Sequence, residues 1–201
     1  RAIIGLGDDG PAGLPPASRE ALAGAEFVFG APRHLALAGV KGHAWPVPFD
    51  VAPLLELRGR RVAALVSGDP FWHGAGGTLA AVLAPGEWRA YPVAGTFSLT
   101  AARLGWRLEE VTCLGLHAAP FARLRPVMAR GARAICLLRD GAAPQALAEW
   151  LVAQGLGATR ITVLEALGGP RERIRQARAA DFALDCASPV AVALDGVDLP
   201  P

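Results

Sequence analysis

The sequence predicts an α/β fold of two α/β domains with mainly parallel sheets, and three observations carry that prediction. Val62–Val66 is apolar throughout, the pattern of a strand covered on both faces. Short apolar runs alternate with stretches of helical spacing along the whole chain, as βαβ units require. Loops rich in Gly, Asp and Pro follow several of these runs, above all Ser67-Gly68-Asp69-Pro70. Parallel sheets gather ligands beyond the carboxyl ends of their strands, so these loops are the first candidates for a site.

The elements follow in order. Ala2–Leu6 reads as a first strand, and a helix starts near Pro16, where Pro suits the first turn, and ends at Ala23-Gly24. Ala25–Phe29 is a second strand and Arg33-His34-Leu35 opens a short helix. Trp45-Pro46-Val47-Pro48 is an extended edge segment, because Pro cannot serve a central ladder. A helix over 51–57 and the strand Val62–Val66 come next; then Leu79, Val82 and Leu83 mark the inward face of a helix. Trp88–Val93 is a strand, followed by a helix that Gly105 stops. The charged pause Arg107-Leu108-Glu109-Glu110 places the domain boundary, giving 1–109 and 110–201. The second half repeats the alternation. It has strands at 111–116, 134–138, 161–164 and 190–194, helices at 120–130 and 144–153, and a charge-alternating segment at 171–178.

With 52% hydrophobic and 19% charged residues in 201, the chain can bury cores without staples. Its apolar runs are far shorter than the ~20 residues of a membrane span. A net charge of +2 and the lack of a basic patch argue against nucleic acid and membrane surfaces as partners. Cys113, Cys136 and Cys186 show no CxxC spacing and read as reduced core thiols of a cytoplasmic protein. No metal-ligand spacing joins them to His34, His43, His73 or His117, so no metal is expected. The chain does not open on Met, and Pro200-Pro201 reads as the start of a linker.

Gly5-x-Gly7-x-x-Gly10 spells a dinucleotide fingerprint. One alternative is therefore an NAD(P)-binding oxidoreductase, although Asp8 and Asp9 would repel a pyrophosphate and the Pro-rich stretch 11–16 delays the helix. A non-catalytic docking domain of a fused biosynthetic enzyme is another alternative, suggested by the polar first loop and Pro200-Pro201.

Taken together, Ile3-Ile4-Gly5-Leu6-Gly7, Val66-Ser67-Gly68-Asp69-Pro70 and Val93-Ala94-Gly95-Thr96-Phe97-Ser98, followed by 101–106, resemble in order and spacing the tetrapyrrole methylase family. Leu116-His117 and the run 161–168 extend the resemblance over nearly the whole chain. Within the family, Arg33-His34-Leu35, 101–106 and Leu116-His117 are most similar to the cobalamin-pathway precorrin C-5 methyltransferases, in some bacteria the N-terminal half of a fused C5,15-methyltransferase. Asp8-Asp9 stand where the family has Pro-Gly, Ala94 where Pro is usual, and Ala118-Ala119 where Gly-Arg would complete the Leu-His stretch.

The resemblance implies a class III methyltransferase with its active-site cleft between two domains. It would use S-adenosyl-L-methionine to methylate a carbon of a precorrin, C-5 being the expected position, in cobalamin biosynthesis. A homodimer and a fused or separate C-15 methyltransferase/decarboxylase are the implied protein partners. Asp69 would be catalytic, its carboxylate set near the sulfonium or the substrate. Gly7, Asp8, Ser67, Gly68, Asp69, Trp72, Phe97, Ser98, Leu138, Ala166 and Leu167 would contact the cofactor. Arg33, His34, Arg103 and His117 would meet a flat macrocycle fringed by carboxylates. Methyl transfer is an in-line displacement, for which positioning and exclusion of water can supply much of the rate enhancement and no metal or covalent nucleophile is needed.

Overall fold

A computed structural model describes residues 1–198, so Pro200-Pro201 lies outside the described residues. The chain divides into a unit Arg1–Gly95 and a second unit from Thr96 onward.

The first unit is built on β1 (Ala2–Leu6), β2 (Phe27–Gly30), β3 (His43–Ala44), β4 (Val62–Ser67) and β5 (Arg89–Tyr91), in the order β3-β2-β4-β1-β5. Every pairing is parallel. The helices α1 (Pro16–Ala23), α2 (Pro32–Ala38), α3 (Ala52–Leu55) and α4 (Gly76–Val82) connect the strands. The continuous apolar run of β4 is explained by its two covered faces. Val62, Ala64 and Val66 join Ile3, Leu54 and Leu79 on one side, while Ala63 and Leu65 join Ile4, Leu6 and Leu14 on the other. Of the expected inward face of α4, Leu79 and Leu83 are buried but Val82 is 39% exposed, because the helix ends there. The edge strand β3 stops before the Pro-containing segment, whose Trp45 ring stacks on Phe29 at 5.1 Å.

The second unit carries α5 (Thr96–Leu104), β6 (Thr112–Gly115), β7 (Ala134–Leu137), α6 (Ala143–Ala153), β8 (Arg160–Glu165), β9 (Arg173–Arg178) and β10 (Val190–Asp195). Its sheet has the order β6-β7-β10-β8-β9. Here the expectation of a mainly parallel sheet needs correction. Only β6 and β7 pair in parallel among the described residues, whereas β10 runs antiparallel to β7 and β8, and β8 to β9. The reason is connection length. Between β8 and β9 there is no crossover helix, and a short return can only be antiparallel; β10 then runs in the same direction as β9, inserted between β7 and β8 and antiparallel to both. The charge-alternating segment is thus an edge strand, β9.

Helix α5 explains why the units divide at Gly95/Thr96 rather than at the expected 109/110. Its Phe97 is packed with Ile135, Leu164, Leu167 and Ala193 on one face of the second sheet, and Leu147 and Leu151 of α6 cover the other. The segment expected as a helix over 120–130 is a 3-10 turn at Phe121–Val127, since Pro126 withholds a donor and disfavours the α conformation at Arg125. Cys136 is buried, and Cys113 and Cys186 are half-buried free thiols. Among the described residues no helix is long and apolar enough to cross a membrane.

Candidate functional site

In the first unit, three loops meet beyond the C-terminal ends of the central strands, and glycines let them meet. A Cβ on Gly5 would fall 1.9 Å from the Gly68 carbonyl oxygen. Gly68 itself has φ +43°, and its Cβ would lie 2.9 Å from the Gly95 Cα. The Gly68 N–H donates to Leu6 O at 3.1 Å and its carbonyl accepts from the Val93 N–H at 3.3 Å. Gly68 is therefore a packing glycine that joins the loops after β1, β4 and β5.

Asp69 follows it, half-buried, and its Oδ1 accepts from the Phe71 N–H at 3.0 Å, a turn in which the carboxylate stabilises its own loop. Trp72 is 42% exposed on the same loop.

A polar chain runs across the ends of the same strands. Asp8, after β1, holds Arg33 at 2.6 Å; Arg33 Nη2 lies 3.3 Å from His34 Nε2; and that nitrogen is 3.0 Å from Ser67 Oγ at the end of β4. His34 is 8% exposed. Burial first, and the adjacent Arg33 guanidinium second, push its pKa down to about 4, against the opposing pull of Asp8. The ring is thus neutral near pH 7. An acceptor Nε2 facing both the guanidinium and the hydroxyl follows, with the proton on Nδ1. Four residues expected to serve two ligands, Asp8 and Ser67 for the cofactor and Arg33 and His34 for the substrate, form one network.

The dinucleotide reading meets two obstacles in this geometry. Gly7 and Gly10 close a tight turn into a 3-10 segment, Gly10–Gly13, and the Asp9 carboxylate fills the space beside Gly7 and Gly13. No acidic side chain ends β2, since Glu26 precedes it and is engaged by Arg60 at 3.0 Å. A pyrophosphate would meet a carboxylate where it needs backbone N–H groups.

In the second unit, β7 and β8 flank the start of β10, so Leu138 N–H donates to Val190 O and Ala166 N–H to Pro189 O. This brings Leu138 and Ala166-Leu167 together past the C-terminal ends of β7 and β8, and Ala166 adopts φ 48° there. All three are buried, at 6%, 6% and 8%. Phe97, at 2%, is a core residue whose side chain has little surface to offer a ligand, while Ser98 is half-buried on α5. Arg103 forks onto Glu172 at 2.9 and 3.2 Å, and Glu172 also accepts from the Gly168 N–H at 2.8 Å. A guanidinium so paired ties α5 to the loop after β8. His117 is exposed in the loop after β6, and its carbonyl accepts from Arg139 Nε at 3.0 Å.

Sequence reasoning missed Glu165, 4% exposed, which accepts from Arg173, Arg175 and the Ala187 N–H at 2.8–3.0 Å. Burial raises its pKa, and these donors together outweigh that and hold it below the usual carboxylate range. The alternating arginines of β9 were the available signal.

The Tetrapyrrole (Corrin/Porphyrin) Methylases family model matches residues 2–183. The chain is 43% identical over 196 residues to the precorrin-6Y C(5,15)-methyltransferase (decarboxylating) of Sinorhizobium sp, covering 94% of this chain but only 48% of that relative. It is 27% identical over 180 residues to the cobalt-precorrin-7 C(5)-methyltransferase of Salmonella typhimurium, covering 86% of this chain and 87% of that one. Among solved structures, the uroporphyrin-III C-methyltransferase of Thermus thermophilus, complexed with S-adenosylhomocysteine, superposes with a TM-score of 0.73 at 21% identity, covering 97% of this chain and 92% of that one. With a family match over most of its length and loops that close as described, this chain belongs to the tetrapyrrole methylases.

Proposed function

We propose that this chain transfers a methyl group from S-adenosylmethionine to C-5 of a precorrin in cobalamin biosynthesis. The observation that carries the position is one of coverage. The chain accounts for about half of a relative named for two positions, C-5 and C-15, and for nearly all of a relative named for C-5 alone. The activity common to both names is the C-5 step. Methylation at C-15 and decarboxylation then fall to a fused or separate partner.

In this reading the loop Ser67–Pro70 and the first-loop residues Gly7 and Asp8 lie against the donor, with Asp69 presenting negative charge toward the sulfonium. Arg33, held by Asp8 and a neutral His34, offers a preset cation to a substrate carboxylate. Leu138 and Ala166-Leu167 supply buried apolar surface, mostly through their backbone, to the adenosine. The protein's part in the reaction is to align donor and acceptor in line and to exclude water, which together can lower the barrier by several kcal/mol, about 7–11 in well-oriented systems. A homodimer and a cytoplasmic location belong to the same proposal.

The test is methyl transfer from S-adenosylmethionine carrying a 13C methyl group to a panel of precorrins, with the labelled carbon located by NMR. Label at C-5 is the expected result. Label at C-15, or no heat of S-adenosylhomocysteine binding at high micromolar concentration, would overturn the reading.

A further inference from the structure

The second unit holds an open cleft of about 330 Å3 walled by Leu116, Ala119, Phe121, Ala143 and Ala146, with Arg139 at its polar side. It lies just past the C-terminal ends of β6 and β7, the parallel pair of that sheet, where strand ends leave a crevice for a ligand. Its walls are held in place without any ligand. The Leu116 N–H donates to Leu137 O at 2.8 Å, and Arg139 Nε donates to His117 O at 3.0 Å. Next to Asp140, Gly141 is pressed so closely on the 186–187 backbone that a Cβ would sit 2.1 Å from Cys186 O.

The polar groups decide what can bind. Asp140 also lines the cleft, but its Oδ1 accepts from the Ala142 and Ala143 N–H groups at 3.1 Å, so these two donors at the entry to α6 are already taken. A phosphate that depends on such N–H groups finds these two engaged, and any anion in the cleft has to be held by Arg139 against the Asp140 charge. Arg139 spends only Nε on the chain. Its terminal nitrogens have no hydrogen-bond partner among the described residues, and the side chain is exposed. Paired terminal N–H groups match the two oxygens of a carboxylate. The remaining wall is methyl groups and a phenyl ring, suited to a short apolar stem. The volume is at the low end for small-molecule sites, about 300–1,000 Å3, which fits an arm rather than a macrocycle.

We propose that this cleft is a subsite for a carboxylate on a short apolar stem, with Arg139 holding the carboxylate, and that it takes one acid side arm of the acceptor. The second half of that statement rests on the methyltransferase reading above.

The test uses 3-phenylpropionate and its amide as probes, titrated into the full chain while the alanine methyl signals are followed by NMR. Saturable shifts confined to Ala119, Ala143 and Ala146 are expected, with the acid binding at least tenfold more tightly than the amide. Arg139→Gln should erase that preference, and Ala146→Phe, at an exposed position, should block both probes. Equal binding of acid and amide, or an acid preference that survives Arg139→Gln, would overturn the inference. S-adenosylhomocysteine titrated into the same samples separates the two readings. If it binds wild type and Arg139→Gln alike while the probes fail, the subsite falls and the methyltransferase reading stands. If it binds neither while the probes behave as expected, the subsite stands and its assignment to a methyl acceptor falls.

Discussion

His34 Nε2 lies 3.0 Å from Ser67 Oγ, joining the helix after β2 to the end of β4 through a ring that burial keeps neutral. Because the folded-state pKa is depressed to about 4 from an ordinary value near 6.5, the folded protein resists a proton that the unfolded chain accepts. Stability from this residue is fully present above pH 6.5 and is lost as pH falls toward 4. The loss is up to about 3 kcal/mol. Urea melts at pH 7 and pH 4.5 should therefore differ more for wild type than for His34→Gln, which keeps an acceptor but does not titrate. Equal pH dependence in the two proteins would show the ring to be freely protonated.

Gly68→Val forces a branched side chain into a left-handed conformation with its Cβ 2.9 Å from Gly95 Cα. Thermal melts should show a loss of about 2–4 kcal/mol, strain and displaced backbone together. An unchanged melting temperature would mean that the three loops separate freely.

Asp69→Asn retains an Oδ1 acceptor for the Phe71 N–H, so the turn should survive and stability should move by less than about 1 kcal/mol. If the charge serves the reacting centre, single-turnover methyl transfer should fall about ten- to a thousand-fold. Normal turnover would leave Asp69 with the turn alone.

Glu165→Gln leaves the Arg173 and Arg175 guanidiniums facing a neutral amide in place of a buried carboxylate. Both arginines are partly exposed, at 48% and 29%, and water recovers some of the loss, so about 2 kcal/mol is expected in denaturant titrations. Hydrogen exchange should quicken first in β9 and around Ala187. A variant as stable as wild type would show that the cluster holds nothing together.

The sequence by itself determined the alternation of strands and helices, the two-sided burial of β4 and the loops after β1, β4 and β5, because periodicity and turn chemistry are local. It also carried the family, through short motifs in a fixed order. Tertiary structure decided what depends on neighbours distant in the chain. Without a crossover helix β9 returns antiparallel to β8, β10 inserts antiparallel between β7 and β8, and no local pattern in the charged run 171–178 distinguishes an edge strand from a loop. Helix α5 joined the second unit because Phe97 finds Ile135, Leu164 and Ala193 there, a choice made by packing rather than by the charged pause at 107–110. Among the expected site residues, Arg103 proved bound to Glu172 and Phe97 buried, while Asp8, Arg33, His34 and Ser67 proved linked. Residue type marks which groups can donate, accept or pack; only the folded chain sets which of them are already occupied by one another.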